Sequence, residues 1–194
     1  MRASRKVKAQ HHTEIVATAA EMLRRHGVDR TSVMDLMRAA GLTHGGFYRH
    51  FASKDALVAE STRSIFRALI ARFQARAEQE GPKAALAAYV DDYLAGRHLD
   101  APQEGCPVAA YGAEAARESP AVREAFAEGM DQMLSMAAEG LSCAKEQRRS
   151  RVAELHALMT GAVIMARAAG DVKVSRDILN SARQRARRMI EERH

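Results

Sequence analysis

Apolar residues recur along the chain at helical spacing and almost nowhere alternate at strand spacing, so the pattern predicts an all-α protein. Ile15, Ala19, Met22 and Leu23 place one apolar face on a helix from about Thr13 to His26. Thr13 is its expected cap, and Gly27 its stop, with Val28 folding back on Leu23. Thr31 or Ser32 caps a second helix with Val33, Leu36, Met37 and Ala40 on one face. Gly41 ends it, Leu42 tucks into the crevice, and Thr43 caps a short third helix whose Phe47 and Phe51 face the core. Ser53 then starts a long helix that continues to about Glu80 through Leu57, Val58, Ser61, Ile65, Leu69 and Phe73.

Gly81-Pro82 marks a break, and the following helix runs to about Ala95 with Tyr89 and Tyr93 on one face. A polar loop from Gly96 to Glu104 and the Gly105-Cys106-Pro107 turn lead into a helix from Val108 to about Arg117. Ser119-Pro120 opens a helix lined by Val122, Phe126, Met130, Met133, Ala137 and Leu141. Lys145 to Arg151 reads as a charged linker. The stripe Val152, Leu155, His156, Met159, Val163 and Ile164 follows, then a turn from Asp171 to Val174. Ser175 caps a final helix with Ile178, Leu179, Ala182, Ala186, Met189 and Ile190, about nine helices in all.

The stretch Thr31–Phe51 has helix-turn-helix grammar. Residues expected to face outward from its second helix are Thr43, His44, Tyr48, Arg49 and His50, types that bind phosphate or base edges. Gly45 and Gly46 sit in its first turn, where each costs about 1 kcal/mol relative to alanine. Two explanations stand: the glycines let the helix start press against DNA, or they fit a crowded turn. Charge favours a polyanion partner. Residues 1–55 hold ten Lys or Arg against five Asp or Glu, whereas residues 56–194 hold twenty against nineteen. Residues 1–12, with Arg2, Arg5, Lys6, Lys8, His11 and His12, read as a polar arm that either folds on the DNA backbone or merely solubilises the chain.

Residues 39–57, AAGLTHGGFYRHFASKDAL, resemble the N-terminal signature of the TetR/AcrR family of bacterial transcriptional regulators. The matching positions are Ala40, Gly41, Thr43, Gly45, Tyr48, His50, Phe51, Ser53, Lys54 and Leu57, while Leu36-Met37 replace the isoleucine and alanine more usual in the family. The phrase GCPVAAYGAEAA, from Gly105, is similar to a C-terminal segment of one branch, and GAVIMARAAGDVKVSRDILNSAR, from Gly161, to the dimer-forming end. The resemblance implies an N-terminal three-helix helix-turn-helix domain, residues 1–55, and a larger helical ligand-binding and dimerisation domain, residues 56–194. It implies a homodimer on a palindromic double-stranded DNA operator, a repressor released by a small-molecule inducer. Thr43, Tyr48, His50 and Lys54 would hold the backbone, and His44 and Gly45 would approach base edges; Thr31, Ser32 and Arg49 complete the candidate DNA contacts.

Candidate ligand-binding residues are Leu69, Tyr89, Tyr93, Cys106, Tyr111, Phe126, Met130 and Met133. Tyr89 and Tyr93 line a cavity or form core edges, and the methionines adapt to ligands or fill an irregular core. Cys106, before a proline at a helix start, is either a sensor of oxidants or electrophiles that would replace the reversible ligand, or a small packed residue. Leu155, His156, Met159, Val163, Ile178, Ala182 and Met189 are the candidate dimer interface, His156 as an interface histidine rather than a metal ligand.

No glycine-rich phosphate loop ahead of a strand, nucleophile elbow or paired metal-ligand motif supports an enzyme, and neither metal nor cofactor is expected. The longest clean apolar run, Ala162 to Ala166, is far below the roughly 18 residues of a membrane span. A cytoplasmic protein with Cys106 and Cys143 reduced is the expectation.

Overall fold

The computed structural model describes residues 2–192, the side chains of residues 2–4 and Arg97 excepted. Among the described residues the chain is helical and without strands. It begins with α1 (Arg2–His26), α2 (Val33–Ala39), a 3₁₀ segment (His44–Arg49) and the long α3 (Lys54–Glu80). Then follow α4 (Pro82–Tyr93), α5 (Arg97–Asp100), a 3₁₀ turn (Pro102–Glu104) and α6 (Pro107–Ala115). Three long helices complete it: α7 (Pro120–Ala138), α8 (Lys145–Ala169) and α9 (Val172–Glu191).

The all-α class and helix order follow the hydrophobic pattern, and the departures have local causes. Thr13 does not cap α1; its hydroxyl donates to Ala9 O inside a helix that already runs through the expected polar arm. Arg5, Lys6 and Lys8 are compatible with helix and stay exposed. The third helix is 3₁₀ rather than α, consistent with six residues that include the weak formers Gly45 and Gly46, and Thr43 makes no side-chain cap. The Gly96–Glu104 loop contains α5 and the 3₁₀ turn.

Lys145–Arg151 is no linker but the first two turns of α8, where Lys, Glu, Gln and Arg are good helix formers. Arg149 pairs there with Asp131, and Arg148 with Glu139. Asp171, not Ser175, caps α9 by accepting from Val174 N at 2.8 Å. Ser175 instead donates to Ala166 O of α8. The helix from Pro120 stops at Ala138, short of Leu141.

Three apolar clusters are threaded by α3. Leu57 joins Ile15, Ala19, Leu36, Met37, Phe47 and Phe51 around the first two helices. Val58, Ile65 and Phe66 lie in a junction cluster with Leu23, Val28, Tyr111, Val122 and Phe126. Phe73 enters the largest cluster, with Leu86, Val90, Leu94, Val152, Leu155, Met159 and Val163. A Cβ on Gly129 would overlap the Phe66 ring, so glycine lets α7 lie directly on α3. One window of α8 is long and apolar enough to cross a membrane by length and composition, yet its residues Val152, Leu155, Met159, Ala162, Val163 and Ala166 pack into the largest cluster.

His156 is 7% exposed inside that cluster, its Nε2 buried with no hydrogen-bond partner among the described residues. Burial lowers its pKa to about 4, from 6.5 for a free imidazole. Between those values the unfolded chain binds the proton and the folded chain does not, so stability rises with pH there and this contribution is complete above about 6.5. The expected outcome is that about 3 kcal/mol is lost as pH falls from 6.5 through 4, and that His156→Leu flattens that part of the profile in denaturant titrations. An unchanged slope in the variant would refute the buried neutral histidine as its source.

Candidate nucleic-acid interface and interior cavity

The helix-turn-helix unit is built by two local devices. Ser32 caps α2, accepting from Asp35 N at 3.1 Å, and Gly41 at φ +70 turns the chain so that Leu42 N donates to Met37 O at 2.8 Å. The 3₁₀ segment then buries Phe47 and leaves His44, Gly45, Tyr48 and Arg49 exposed, Tyr48 at 70%. Apart from its chain neighbours and its own helix backbone, no atom of the described residues lies within 4 Å of the position a Gly45 Cβ would take, and Gly45 is not at positive φ. The fold itself therefore gives no steric reason for a glycine there.

Behind this face three histidines meet. His12 stacks on Phe51 with ring centroids 4.6 Å apart, and its Nε2 lies 2.7 Å from Glu60. The His50 ring lies 6.0 Å from His12 and 6.5 Å from His11. Burial, then the neighbouring His12, Lys8, His11 and Arg49, push the His50 pKa down, so it favours the neutral form.

One candidate contact is corrected. Thr31 is fully buried, its hydroxyl donating to Gly27 O at 2.6 Å, and presents no group to DNA. Lys54 is partly buried, its Nζ donating one of three N–H groups to Val28 O at 2.7 Å. Thr43 and Ser32 are exposed, and His50 is half-buried.

Lys54 belongs to a latch at the turn after α1. Gly27 takes φ +81, which bares the next two amides, and the Glu114 carboxylate of α6 accepts from Val28 N at 2.6 Å and Asp29 N at 3.1 Å. A side chain on Gly27 would be strained by φ and would overlap that carboxylate. At the other end of α6, Cys106 is the N-cap and lines a cavity.

The cavity, about 220 Å³, lies between α3, α4 and the segment from α5 to Cys106. Leu69, Tyr89, Tyr93 and Cys106 line it, together with Arg72, Phe73, Arg76, Ala85, Asp92, His98 and Glu104. Tyr93 packs on His98 at 4.2 Å between centroids, and the His98 ring accepts from Cys106 N. Arg167 of α8 fixes this wall by donating to His98 O and Ala109 O. Burial pushes the Cys106 thiol up, with opposing contributions from the amides of Ala109 and Val108, Tyr93 and Arg167, so the thiol is protonated at rest.

Tyr111, Phe126, Met130 and Met133 are corrected as cavity residues. They belong to the junction cluster, where Tyr111 packs edge-on against Phe126 and bonds Thr62 at 3.0 Å. The cavity arginines and Glu104 escaped the sequence reading because charged residues at a solvent-facing rim look like any exposed surface. The predicted dimer stripe is corrected too. Leu155, His156, Met159, Val163 and Met189 point into the chain's own core. Ile178 and Ala182 instead border an outward groove with Leu158, Gly161, Ala162 and Met165, and Met165 is 59% exposed.

Residues 15–61 match the family described as bacterial regulatory proteins, tetR family, and residues 82–182 match a tetracyclin repressor-like C-terminal domain. The chain belongs to the TetR family. This TetR-family chain is 38% identical over 61 residues to the HTH-type transcriptional repressor KstR2 of Mycobacterium tuberculosis, which covers 31% of the chain and 30% of that protein. It is 36% identical over 47 residues to the HTH-type transcriptional regulator YvdT of Bacillus subtilis, 24% of each. Both alignments span less than a third of the relative's length. Among solved structures, the reduced form of NemR from Escherichia coli aligns with TM-score 0.77 at 20% identity, over 93% of this chain and 97% of that one. A TetR regulator from Legionella pneumophila aligns with TM-score 0.77 at 16% identity, over 91% and 95%. At these identities the likeness is one of fold.

The latch geometry carries a prediction. Glu114→Ala leaves two amides without their charged acceptor, which is expected to cost about 1.5–3 kcal/mol and lower Tm by roughly 3–12 °C. In hydrogen exchange the Val28 and Asp29 amides should lose protection before the rest of α1. Retained protection at both would show that the carboxylate is not what holds them.

Proposed function

We propose that the chain is a homodimeric, ligand-responsive transcriptional repressor that places the 3₁₀ segment His44–Arg49 in the major groove of each half of a palindromic operator. The observation that carries this is the open face at Gly45, a glycine that no contact among the described residues requires, flanked by exposed His44, Tyr48 and Arg49. Close approach of a DNA backbone supplies the missing reason, and the exposed Arg5, Lys6 and Lys8 of α1 add positive charge to the same end of the chain. KstR2 is itself named a transcriptional repressor. In this reading residues 1–55 form the DNA-binding head and residues 56–194 the ligand-binding and dimerisation body, acting in the cytoplasm where the operator is.

Two further features support the reading. The outward groove of α8 and α9, bordered by Leu158, Met165 and Ile178, is apolar and suits a second copy of the same helices. The cavity suits the inducer, and α6 joins it to the head: Cys106 touches the cavity at one end and Glu114 holds the Val28–Asp29 turn at the other. A ligand that favours a displaced α6 would loosen that turn and misalign the two heads. Because burial keeps Cys106 protonated, a reversible ligand fits the site better than thiol chemistry.

Gly45→Ala is expected to leave Tm unchanged or raise it, since alanine favours the helix, while weakening binding to DNA flanking the protein's own gene about tenfold or more. Undiminished binding would remove the reason for placing DNA at that face. Cys106→Ser is expected to bind the same DNA and still be released by the inducer found in a ligand screen; loss of release would return the switch to thiol chemistry.

A further inference from the structure

The geometry points to a chemical class for the cavity's occupant, a small planar monoanion: one aromatic ring bearing a carboxylate, with the ring among Phe73, Tyr89 and Tyr93 and the carboxylate on Arg72. This rests on the reading of the cavity as the effector site. Its walls are flat. Phe73 and Tyr89 meet at 6.2 Å and 75°, Tyr89 and Tyr93 at 5.7 Å and 60°, and His98 continues the surface behind Tyr93. Rings packed on one another in this way present faces and edges on which one more ring can stack offset or edge-on. Size agrees: a dry apolar cavity of roughly 150 Å³ holds one benzene, so about 220 Å³ admits a ring with a short substituent.

Charge selects the substituent. Arg72 and Arg76 lie one turn apart on α3, both lining the cavity. Arg76 is neutralised, by Asp92 at 3.2 Å and Glu80 at 3.9 Å. Arg72, exposed at the rim of the cavity, makes no ion pair or hydrogen bond among the described residues, and its charge opposes the upward push that burial gives the Tyr89 pKa. That hydroxyl has as acceptor the Met133 sulfur at 3.9 Å, a weak partner that leaves it able to donate to a ligand oxygen. Glu104, exposed on the 3₁₀ turn at the mouth, is the remaining carboxylate in the lining. It repels a second negative charge, so a monoanion is preferred to a dianion. The half-buried Arg167, whose partners are the carbonyls of His98 and Ala109, adds to the positive field behind Cys106 and Tyr93.

The test is calorimetric titration of the full chain with benzoate, phenylacetate and 4-hydroxybenzoate, each beside its neutral amide, on wild type, Arg72→Gln and Arg72→Lys. Expected is binding of at least one acid, with its amide weaker by about tenfold or more. Arg72→Gln should bring the acid to the level of the amide, and Arg72→Lys should keep most of the affinity. Equal affinity of acid and amide, full acid affinity in Arg72→Gln, or no binding by any of the acids would overturn the assignment. The same complexes titrated onto DNA flanking the gene separate the two readings: an acid bound through Arg72 that leaves DNA binding intact sustains the anion site and overturns its role as effector.

Discussion

The docking of the turn after α1 onto α6 depends on one carboxylate meeting two amides. Glu114 of α6 accepts from Val28 and Asp29 where the chain turns out of α1, and the contact exists because Gly27 takes a left-handed conformation and carries no side chain. Lys54 closes the same turn from the other side by donating to Val28 O. The turn thus gathers three segments distant in sequence: the end of α1, the start of α3 and the end of α6. Hydrogen bonds to a charged acceptor are about twice as strong as neutral ones, and here they tie the turn after α1 to α6 beside the junction cluster that α1, α3 and α6 share.

The long α3 gives the latch its leverage. It contributes to all three apolar clusters in succession, so its two ends cannot shift independently without repacking Phe66 against Gly129. Close-packed interfaces of this kind favour discrete alternatives over gradual bending. The cavity borders the second half of α3 and the start of α6, while the head rests on the first half of α3 and the end of α6. Two parallel connections between the same two places make the relative position of head and body well determined when both are intact.

The fold class and helix order were legible in the sequence because long amphipathic helices announce themselves by period. The short turn Thr31–Phe51 was legible for a different reason: Gly41, Phe47, Phe51 and Ser53 each satisfy a separate local rule, and the rules agree. Boundaries failed where a good helix former is also a good surface residue, as in residues 2–12 and Lys145–Arg151. The interior cavity was half visible. Tyr89, Tyr93 and Cys106 look like buried residues in any reading, but Arg72 and Glu104 stay exposed at the cavity's rim, and an exposed charge carries no mark in the sequence of the cavity beside it. The dimer stripe went wrong because α8 has apolar residues on two faces. Periodicity finds both, and the larger residues, Leu155, Met159 and Val163, turn out to serve the chain's own core. Glu114 gave no signal at all, since a long-range cap leaves no mark in local spacing.

Under the proposed reading, magnitudes fit a switch that works without unfolding. Coupling between ligand and DNA sites in regulators is commonly about 1–3 kcal/mol, a factor of roughly 5–150 in affinity. Two hydrogen bonds to one carboxylate lie in that same range, so loss of the Glu114 contacts alone is enough to shift the equilibrium between a docked and an undocked turn. The apolar clusters contribute far more and need not be disturbed. A much stronger latch would hold the head against any small ligand, because an occupant of a cavity of about 220 Å³ has few atoms with which to oppose it. A much weaker one would leave the head undocked without a signal. The small cavity and the modest latch are therefore matched: the binding energy one ring and one charge can supply is of the order needed to release one turn of backbone.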